Sequence, residues 1–421
     1  MTVSAFEGVA GSGKTVSLMN ALAEAKARDP LREGQRVLAL TFMHGARKRL
    51  HERLRAEGGL RSADVCVTID SFAQRLTRRW RGLARSLGVP ELGFDQFDAQ
   101  CDAAGLLLEQ DQVRSWLAAS FPIIVVDEAQ DLRPQRLRMI RAVAQSTTLL
   151  IAADEFQCLV QDLRPNPGVA WIREVCEPAV LEGVHRTRED GLLRAAATVR
   201  AGDPPATRGA FRILTAARIP MAAAYLANAI AWSRGGNVAV ITPSLAGGFA
   251  REVVARVGQQ ACGSQGNGPY TIHWDASIDA DVARMVDGLR VDDPALVPSA
   301  IEALSALDQA PPVRQTIVWL RRQQRAGGIA FITRVDLMAA LTRHASAHRQ
   351  HVGNRTMQLT AMTVPQAKNR EFEGVVVLWP FQIGGDAEHR RRLLYNAITR
   401  ARRWCTVILQ GQALGRAPPF A

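Results

Sequence analysis

The chain has 421 residues, 47% hydrophobic and 22% charged, a balance that suits folded material in about two to four domains rather than a disordered tail or a repeat array. No apolar run approaches the roughly 20 residues that span a bilayer, and no basic-then-apolar leader precedes the first motif, so a cytoplasmic location is expected. Six scattered cysteines without a C-x-x-C pair signal neither a zinc site nor a disulfide framework, and the formal charge of +12 suits a polyanionic partner.

In chain order, the apolar run Val3 to Phe6 leads into Gly8-Val9-Ala10-Gly11-Ser12-Gly13-Lys14-Thr15 and then a helical stretch, Val16 to Ala27. Strand, loop and helix together make this a Walker A loop. Its glycines let the backbone turn N–H groups towards phosphate, and the helix N-terminus adds partial positive charge. Gly8, Gly11, Ser12, Gly13 and Val16 are thus expected around a nucleotide, with Lys14 at its β/γ-phosphates and Thr15 on Mg²⁺. Strand-like runs follow at Val37 to Phe42 and Val65 to Ile69, and Thr77 to Ser120 is mostly helical in pattern. Ile123 to Val126 then reads as a buried strand ending in Asp127-Glu128-Ala129-Gln130-Asp131. Asp127 would reach the cation on Thr15, and Glu128 would orient and deprotonate the attacking water.

Leu149 to Ala153 completes a first block of strands, and Ala201 to Gly209, with Gly-Asp-Pro-Pro, reads as a linker. A second block contains Phe211 to Leu214, Val238 to Thr242, Met357 to Met362, Val375 to Leu378 and Cys405 to Leu409. Gly258 to Arg355 interrupts it, opening on a Gly/Gln-rich stretch and breaking again at Pro311-Pro312. Apolar runs alternating with helical patterns imply parallel sheets covered on both faces. Arginines gather at Arg47 to Arg55, Arg75 to Arg85, Arg133 to Arg141 and Arg390 to Arg403, either as a phosphate-tracking surface or as solvated faces. Only Lys14, Lys26, Lys48 and Lys368 are lysines, a preference that base composition explains without explaining the net charge.

Asp-Glu-Ala-Gln-Asp at this place resembles the Walker B form of superfamily 1 helicases of the UvrD/Rep type, and the remaining motifs of that family follow in order. Leu38 to Phe42 with Ala46 and Arg53 resembles motif Ia, and Val67 to Ala73 resembles motif Ib. Ala152 to Gln157 looks like motif III, whose glutamine senses the γ-phosphate in the family. Val184-His185-Arg186-Thr187 looks like motif IV, which makes Arg186 a candidate arginine finger. Thr363 with Ala367 to Phe372 is similar to motif V, where the family's glutamate, here Glu371, contacts the ribose. Leu393 to Ala401 matches motif VI and makes Arg400 the second finger.

The resemblance implies an α/β chain of two RecA-like P-loop NTPase domains with parallel sheets, residues 1–76 with 121–200 and 201–257 with 356–421. A helical insertion, 77–120, would interrupt the first, and a reduced subdomain, 258–355, the second. It further implies ATP and Mg²⁺ as cofactors, with Thr15 and Asp127 at the metal. Lys14, Asp127, Glu128, Gln157, Arg186 and Arg400 would be catalytic, and Thr41, Phe42, Thr68 and Thr363 would meet nucleic acid.

Departures from the family pattern bear on function. Walker A begins eight residues from the N-terminus, which leaves no room for the family's adenine-reading glutamine and predicts relaxed nucleotide choice. Cys158-Leu159-Val160-Gln161-Asp162 stands where the family carries stacking aromatics, and Asn369-Arg370 replaces Gly-Leu in motif V. Tyr270, Trp274 and Trp319 of the second insertion suit either a small core or a contact with nucleic acid or protein. Two readings follow. One is an ATP-dependent DNA helicase or single-stranded DNA translocase, 3′ to 5′ by resemblance, acting on single-stranded or tailed duplex DNA. The other is a DNA-sensing regulatory ATPase of a multi-protein system, such as phage defence, that gates a partner nuclease. No nuclease motif and no membrane partner is indicated.

Overall fold

Residues 2–42, 65–93, 96–233, 236–275, 282, 285–289, 291–307, 310–352 and 359–421 are described by a computed structural model. Ala46, Arg53, the Arg47 to Arg55 cluster and Met357 lie outside the described residues. Strand periodicity organises what they frame. In Val37–Thr41 every residue is buried, and neighbours go to opposite faces. Val37 and Ala39 pack with Leu18, Met19 and Leu22 of the helix Lys14–Arg28. Leu38 and Leu40 join Phe72, Leu76, Leu107 and Ile140 from helices on the other side. A strand buried on both faces must be apolar throughout, which is why these runs stood out in the sequence.

The first sheet comprises β1 (Thr2–Gly8), β2 (Val37–Thr41), β3 (Val65–Thr68), β4 (Ile123–Val126), β5 (Thr148–Ala153) and β6 (Ala179–Leu181). Their order is β3-β2-β4-β5-β1-β6, and every pairing is parallel. Because β4, β5 and β1 are neighbours, the loops leaving their C-terminal ends lie side by side on one rim. Those loops are Walker B, motif III and Walker A.

The second sheet repeats the plan with β7 (Phe211–Ala216), β8 (Val238–Thr242), β9 (His273–Trp274), β12 (Leu359–Thr363), β13 (Phe372–Trp379) and β14 (Ala401–Gln410). Its order is β7-β14-β13-β8-β12-β9, again parallel. Two parallel α/β sheets, one bearing a Walker loop, are the two RecA-like units of the fold. Between β9 and β12, the short strands β10 (Ala295–Leu296) and β11 (Phe331–Ile332) pair antiparallel.

The two interruptions differ in how they are buried. Leu107, Leu108, Val113 and Leu117 lie in the same apolar cluster as Leu40 and Val126, so the helices Phe97–Leu108 and Asp111–Ser120 cover the first sheet. Val286, Val297, Leu304, Leu320, Leu337 and Leu341 form a separate core in the second interruption, with Trp319 against it. Tyr270 and Trp274 instead pack on the second sheet. The helix Asp190–Ala201 also joins the second sheet's core, through Leu192, Ala195 and Val199.

Some of the clustered arginines are engaged internally. Arg136 pairs with Asp70 at 2.8 Å, Arg138 with Glu109 at 2.7 Å and Arg392 with Glu388 at 2.6 Å. Arg75, Arg81 and Arg85 remain exposed. The six cysteines are free thiols, and Cys101, Cys158, Cys262 and Cys405 are buried. Among the described residues no helix is long and apolar enough to cross a membrane.

Candidate active site between the two sheets

Walker A takes its shape from two left-handed glycines, Gly11 at φ 82° and Gly13 at φ 90°. Close approach adds to the requirement, since a Cβ on Gly11 would lie 2.8 Å from Cβ of Arg186. The helix Lys14–Arg28 starts at Gly13 with no side-chain cap, and the buried Ser12 hydroxyl has no hydrogen-bond partner among the described residues. Lys14 Nζ donates to the carbonyls of Gly8 at 2.8 Å and Val9 at 3.0 Å. Its ammonium also lies 3.9 Å from Asp154 Oδ2. An orphaned buried hydroxyl and an uncapped helix start, with an ammonium folded over the same loop, are donors that fit the phosphates of a nucleotide. Bound MgATP would supply the phosphoanhydride to be cleaved and a cation to offset its charge. Thr15 Oγ1 donates to Asp127 Oδ2 at 3.2 Å, so the two oxygens that would hold that cation already meet.

Glu128 follows directly, with its N–H on Asp127 Oδ1 at 3.0 Å and its backbone left-handed at φ 63°. A non-glycine residue persists there only when its surroundings over-determine it. Gln130 supplies part of that constraint. Its Nε2 donates to Glu128 Oε2, its Oε1 accepts from the N–H of Asp154 at 2.9 Å, and its carbonyl accepts from Asn166 Nδ2 at 2.7 Å. Burial, seconded by the neighbouring Glu128 charge, pushes the Asp127 carboxyl up to about 6 against the pull of Lys14. Burial also acts to raise Glu128, but the Lys368 and Lys14 cations prevail and hold it below the ordinary carboxylate range. Of the two carboxyls, Asp127 is the one more readily protonated and Glu128 the one more readily ionised.

The second sheet brings cations to this rim. Arg186 donates through Nε to Glu371 Oε1 at 3.0 Å and through Nη1 to the Thr399 carbonyl at 2.8 Å. The N–H of His185 holds this segment to the Gly11 carbonyl at 2.8 Å. Glu371 also takes Arg402 at 2.6 Å, so the residue expected at the ribose is engaged by two arginines. Arg400 is 2% exposed, donates to the Asn396 carbonyl at 3.0 Å and adds to the field that keeps Glu128 ionised. Gln157 is buried at the end of the 3₁₀ turn Glu155–Gln157, its N–H on the Asp154 carbonyl at 2.9 Å.

Further contacts cross the cleft at residues for which the sequence suggested no role. The Tyr395 hydroxyl accepts from the N–H of Ala10 at 2.9 Å and donates to Asp154 Oδ2 at 3.4 Å, while Arg200 donates to Asp154 Oδ1 at 2.7 Å. Phe156 meets the Tyr395 ring edge-on at 5.1 Å, and Arg392 donates to the Glu155 carbonyl at 2.6 Å. Arg392 and Tyr395, three apart on the helix Ala387–Ile398, present one face to motif III. That spacing was a readable signal. Arg200 carried none.

Residues 358–408 match the UvrD-like helicase C-terminal domain, and residues 1–161 match an AAA domain. Together these two matches support a UvrD-like superfamily 1 helicase. No curated protein matches it. Among solved structures, the crystal structure of Arterivirus nonstructural protein 10 (helicase) aligns with a TM-score of 0.39 and 11% identity. The alignment covers 97% of this chain and 59% of that one. The complex of the same Arterivirus protein with DNA gives a TM-score of 0.39 and 11% identity, over 97% of this chain and 60% of that one. This UvrD-like chain thus spans about three fifths of their length.

The UvrD-like motifs expected to meet nucleic acid lie at the C-terminal ends of β2, β3 and β12. Thr41 is buried at the end of β2, and Phe42 packs partly buried against the first sheet's core. The Thr68 hydroxyl caps the helix Ile69–Arg79, accepting from the N–H of Ser71 at 3.1 Å. Thr363 caps the short helix Val364–Ala367 in a reciprocal capping box with Gln366, at 2.8 Å. Val16, at 48% exposure, lies open on the first turn after the Walker loop.

Proposed function

We propose that this UvrD-like chain hydrolyses ATP in the cleft between its two sheets and uses the closure that hydrolysis requires to move 3′ to 5′ on single-stranded DNA. What supports it above all is that Lys14, Thr15, Asp127 and Glu128 stand on the first sheet while Arg400 and Lys368 reach the same rim from the second. In this reading Lys14 neutralises the β/γ-phosphates, Thr15 and Asp127 hold the cation, and Glu128 takes a proton from the attacking water. Gln157 senses the terminal phosphate. Arg186 and Arg400 exchange their present acceptors for the transferring phosphoryl group, worth about 10³ to 10⁵ in rate, and Glu371, released by Arg186 and still held by Arg402, turns to the ribose. Hydrolysis coupled to lobe geometry in this way gives movement along a strand held at the rim by Thr41, Phe42, Thr68 and Thr363. The exposed Arg75, Arg81 and Arg85, on helices that follow β3, supply positive charge beside that rim.

The test is ATP turnover with and without single-stranded DNA, paired with strand displacement on 3′-tailed and 5′-tailed duplexes. Stimulated turnover with displacement of the 3′-tailed substrate is expected. A second reading, a DNA-sensing ATPase that gates a protein partner, is favoured by one observation: Leu159, just beyond motif III, packs against the second sheet's core instead of offering a stacking ring. Stimulation without displacement would select it.

A further inference from the structure

We propose that Lys368 is the positioning residue for the base: it reaches from the second sheet into the Walker B turn, holds Glu128 through Asp131, and passes strand binding at Thr363 on to hydrolysis. This rests on the function proposed above.

Lys368 Nζ donates to Asp131 Oδ2 across the cleft, with the two side chains 8% and 18% exposed. Burial acts to lower the Lys368 ammonium, and the Asp131 and Glu128 carboxylates outweigh it. Asp131 closes the 3₁₀ turn Ala129–Asp131, whose N-terminal neighbour is the left-handed Glu128, and its N–H bonds the Glu128 carbonyl at 3.1 Å. Whatever fixes Asp131 therefore fixes the backbone from which the base projects. Gln130 and Asn166 constrain that turn from within the first sheet, and Lys368 constrains it from outside.

The other end of the connection is Thr363. It starts the helix Val364–Ala367, which Lys368 ends with its N–H on the Pro365 carbonyl at 3.2 Å. A single capped turn leaves little slack between a strand contact at Thr363 and the ammonium at Asp131. Displacing the second sheet would withdraw Lys368, leave the partly buried Asp131 carboxylate without that cation and release the turn under Glu128. Arg186 and Arg400 act on the phosphoryl group itself, so this is a separate route by which closure reaches the chemistry.

The experiment is steady-state hydrolysis across ATP concentrations, with and without saturating oligo-dT, on the full chain and on Lys368→Met, Lys368→Arg, Asp131→Asn and the Lys368→Met/Asp131→Asn double variant. Fluorescent-nucleotide binding and thermal melting accompany each. We expect each neutralising single variant to lower kcat by about 10- to 100-fold while KM and nucleotide Kd stay within about threefold. Lys368→Arg should recover part of the loss. The double variant should be no worse than either single, because the two losses belong to one interaction. Losses that multiply in the double variant, or normal kcat and normal DNA stimulation in Lys368→Met, would overturn the proposal. If Lys368→Met fails to fold, the Arg and double variants carry the same comparison. Wild-type protein that ignores DNA would refute the motor, yet a non-additive loss of basal kcat would still identify the Lys368–Asp131 contact.

Discussion

Ser12 Oγ is buried without a hydrogen-bond partner among the described residues and the helix after it begins uncapped, whereas Arg186, Arg400, Lys368 and Arg200 across the cleft each hold a carboxylate or a carbonyl. The first sheet keeps donors waiting for an acceptor. The second has its cations satisfied by Glu371, Asn396, Asp131 and Asp154. A cation leaving a buried partner exposes that partner to a desolvation penalty, so in the proposed function the arginines would move to phosphate only when a stronger, multiply charged acceptor arrives. The loop is preorganised for binding and the facing side for conditional exchange. Catalytic competence should then depend on the lobes' relation more than on nucleotide occupancy.

Removing the exchanged cations tests that contrast hardest. Arg400→Ala should lower DNA-stimulated turnover by about 10³-fold while nucleotide affinity stays within about tenfold, because a finger acts on the transition state. Arg186→Ala should follow in the same direction, and Arg400→Lys should rescue poorly for want of a guanidinium fork. Stimulated hydrolysis beside fluorescent-nucleotide binding decides it, and normal turnover in both alanine variants would end the two-lobe mechanism. On the waiting side, Glu128→Gln should cost at least about 10²-fold in kcat with nucleotide binding retained. Turnover within a few-fold of wild type would move the base elsewhere.

Protons should report on the same asymmetry. The folded Asp127 pKa is raised to about 6, above the ordinary carboxylate value, so ionising it costs stability at higher pH. In nucleotide-free protein Asp127→Asn should raise the melting temperature above about pH 6, and the gain should fade as pH falls towards about 4, where both states carry the proton. A gain that does not change with pH would mean that the carboxyl is not held against its charge. The smallest effect concerns Thr68. Thr68→Ala should lose about 1 kcal/mol of stability from the cap. If oligo-dT affinity falls at the same time by more than about threefold, the hydroxyl serves the strand as well.

Legibility followed sequence distance and strand length. Ten of the strands announced themselves as apolar runs because both faces of a parallel sheet are buried. The edge strands β6, with three residues, and β9, with two, are too short and too exposed to show a period. The meeting of Thr15 and Asp127 was readable, since spacing along strand and loop dictates where they come together. The left-handed backbone of Glu128 was not, because it depends on Gln130, Asn166 and Lys368 together. Nor was the engagement of Glu371 by Arg186 and Arg402, which needs the two sheets docked before it exists. Arginine clusters left two readings open for a related reason. Composition counts charge, and only packing shows that Arg136, Arg138 and Arg392 already face acids within the fold.

The path of the chain between the sheets has a consequence of its own. Strands β1 to β6 belong to one sheet and β7 to β14, β10 and β11 aside, to the other, so the polypeptide passes from lobe to lobe once. Gly183 lies in that passage, left-handed at φ 88° with open space where a side chain would stand. Severing the chain there divides neither sheet, and Arg186 leaves with the second piece. Two separately made polypeptides could then be recombined through Ala10, Phe156 and Asp154 on one and Tyr395, Arg200 and Arg392 on the other. Hydrolysis would become a readout of fragment association, and hinge tethering could be separated from the chemistry it carries.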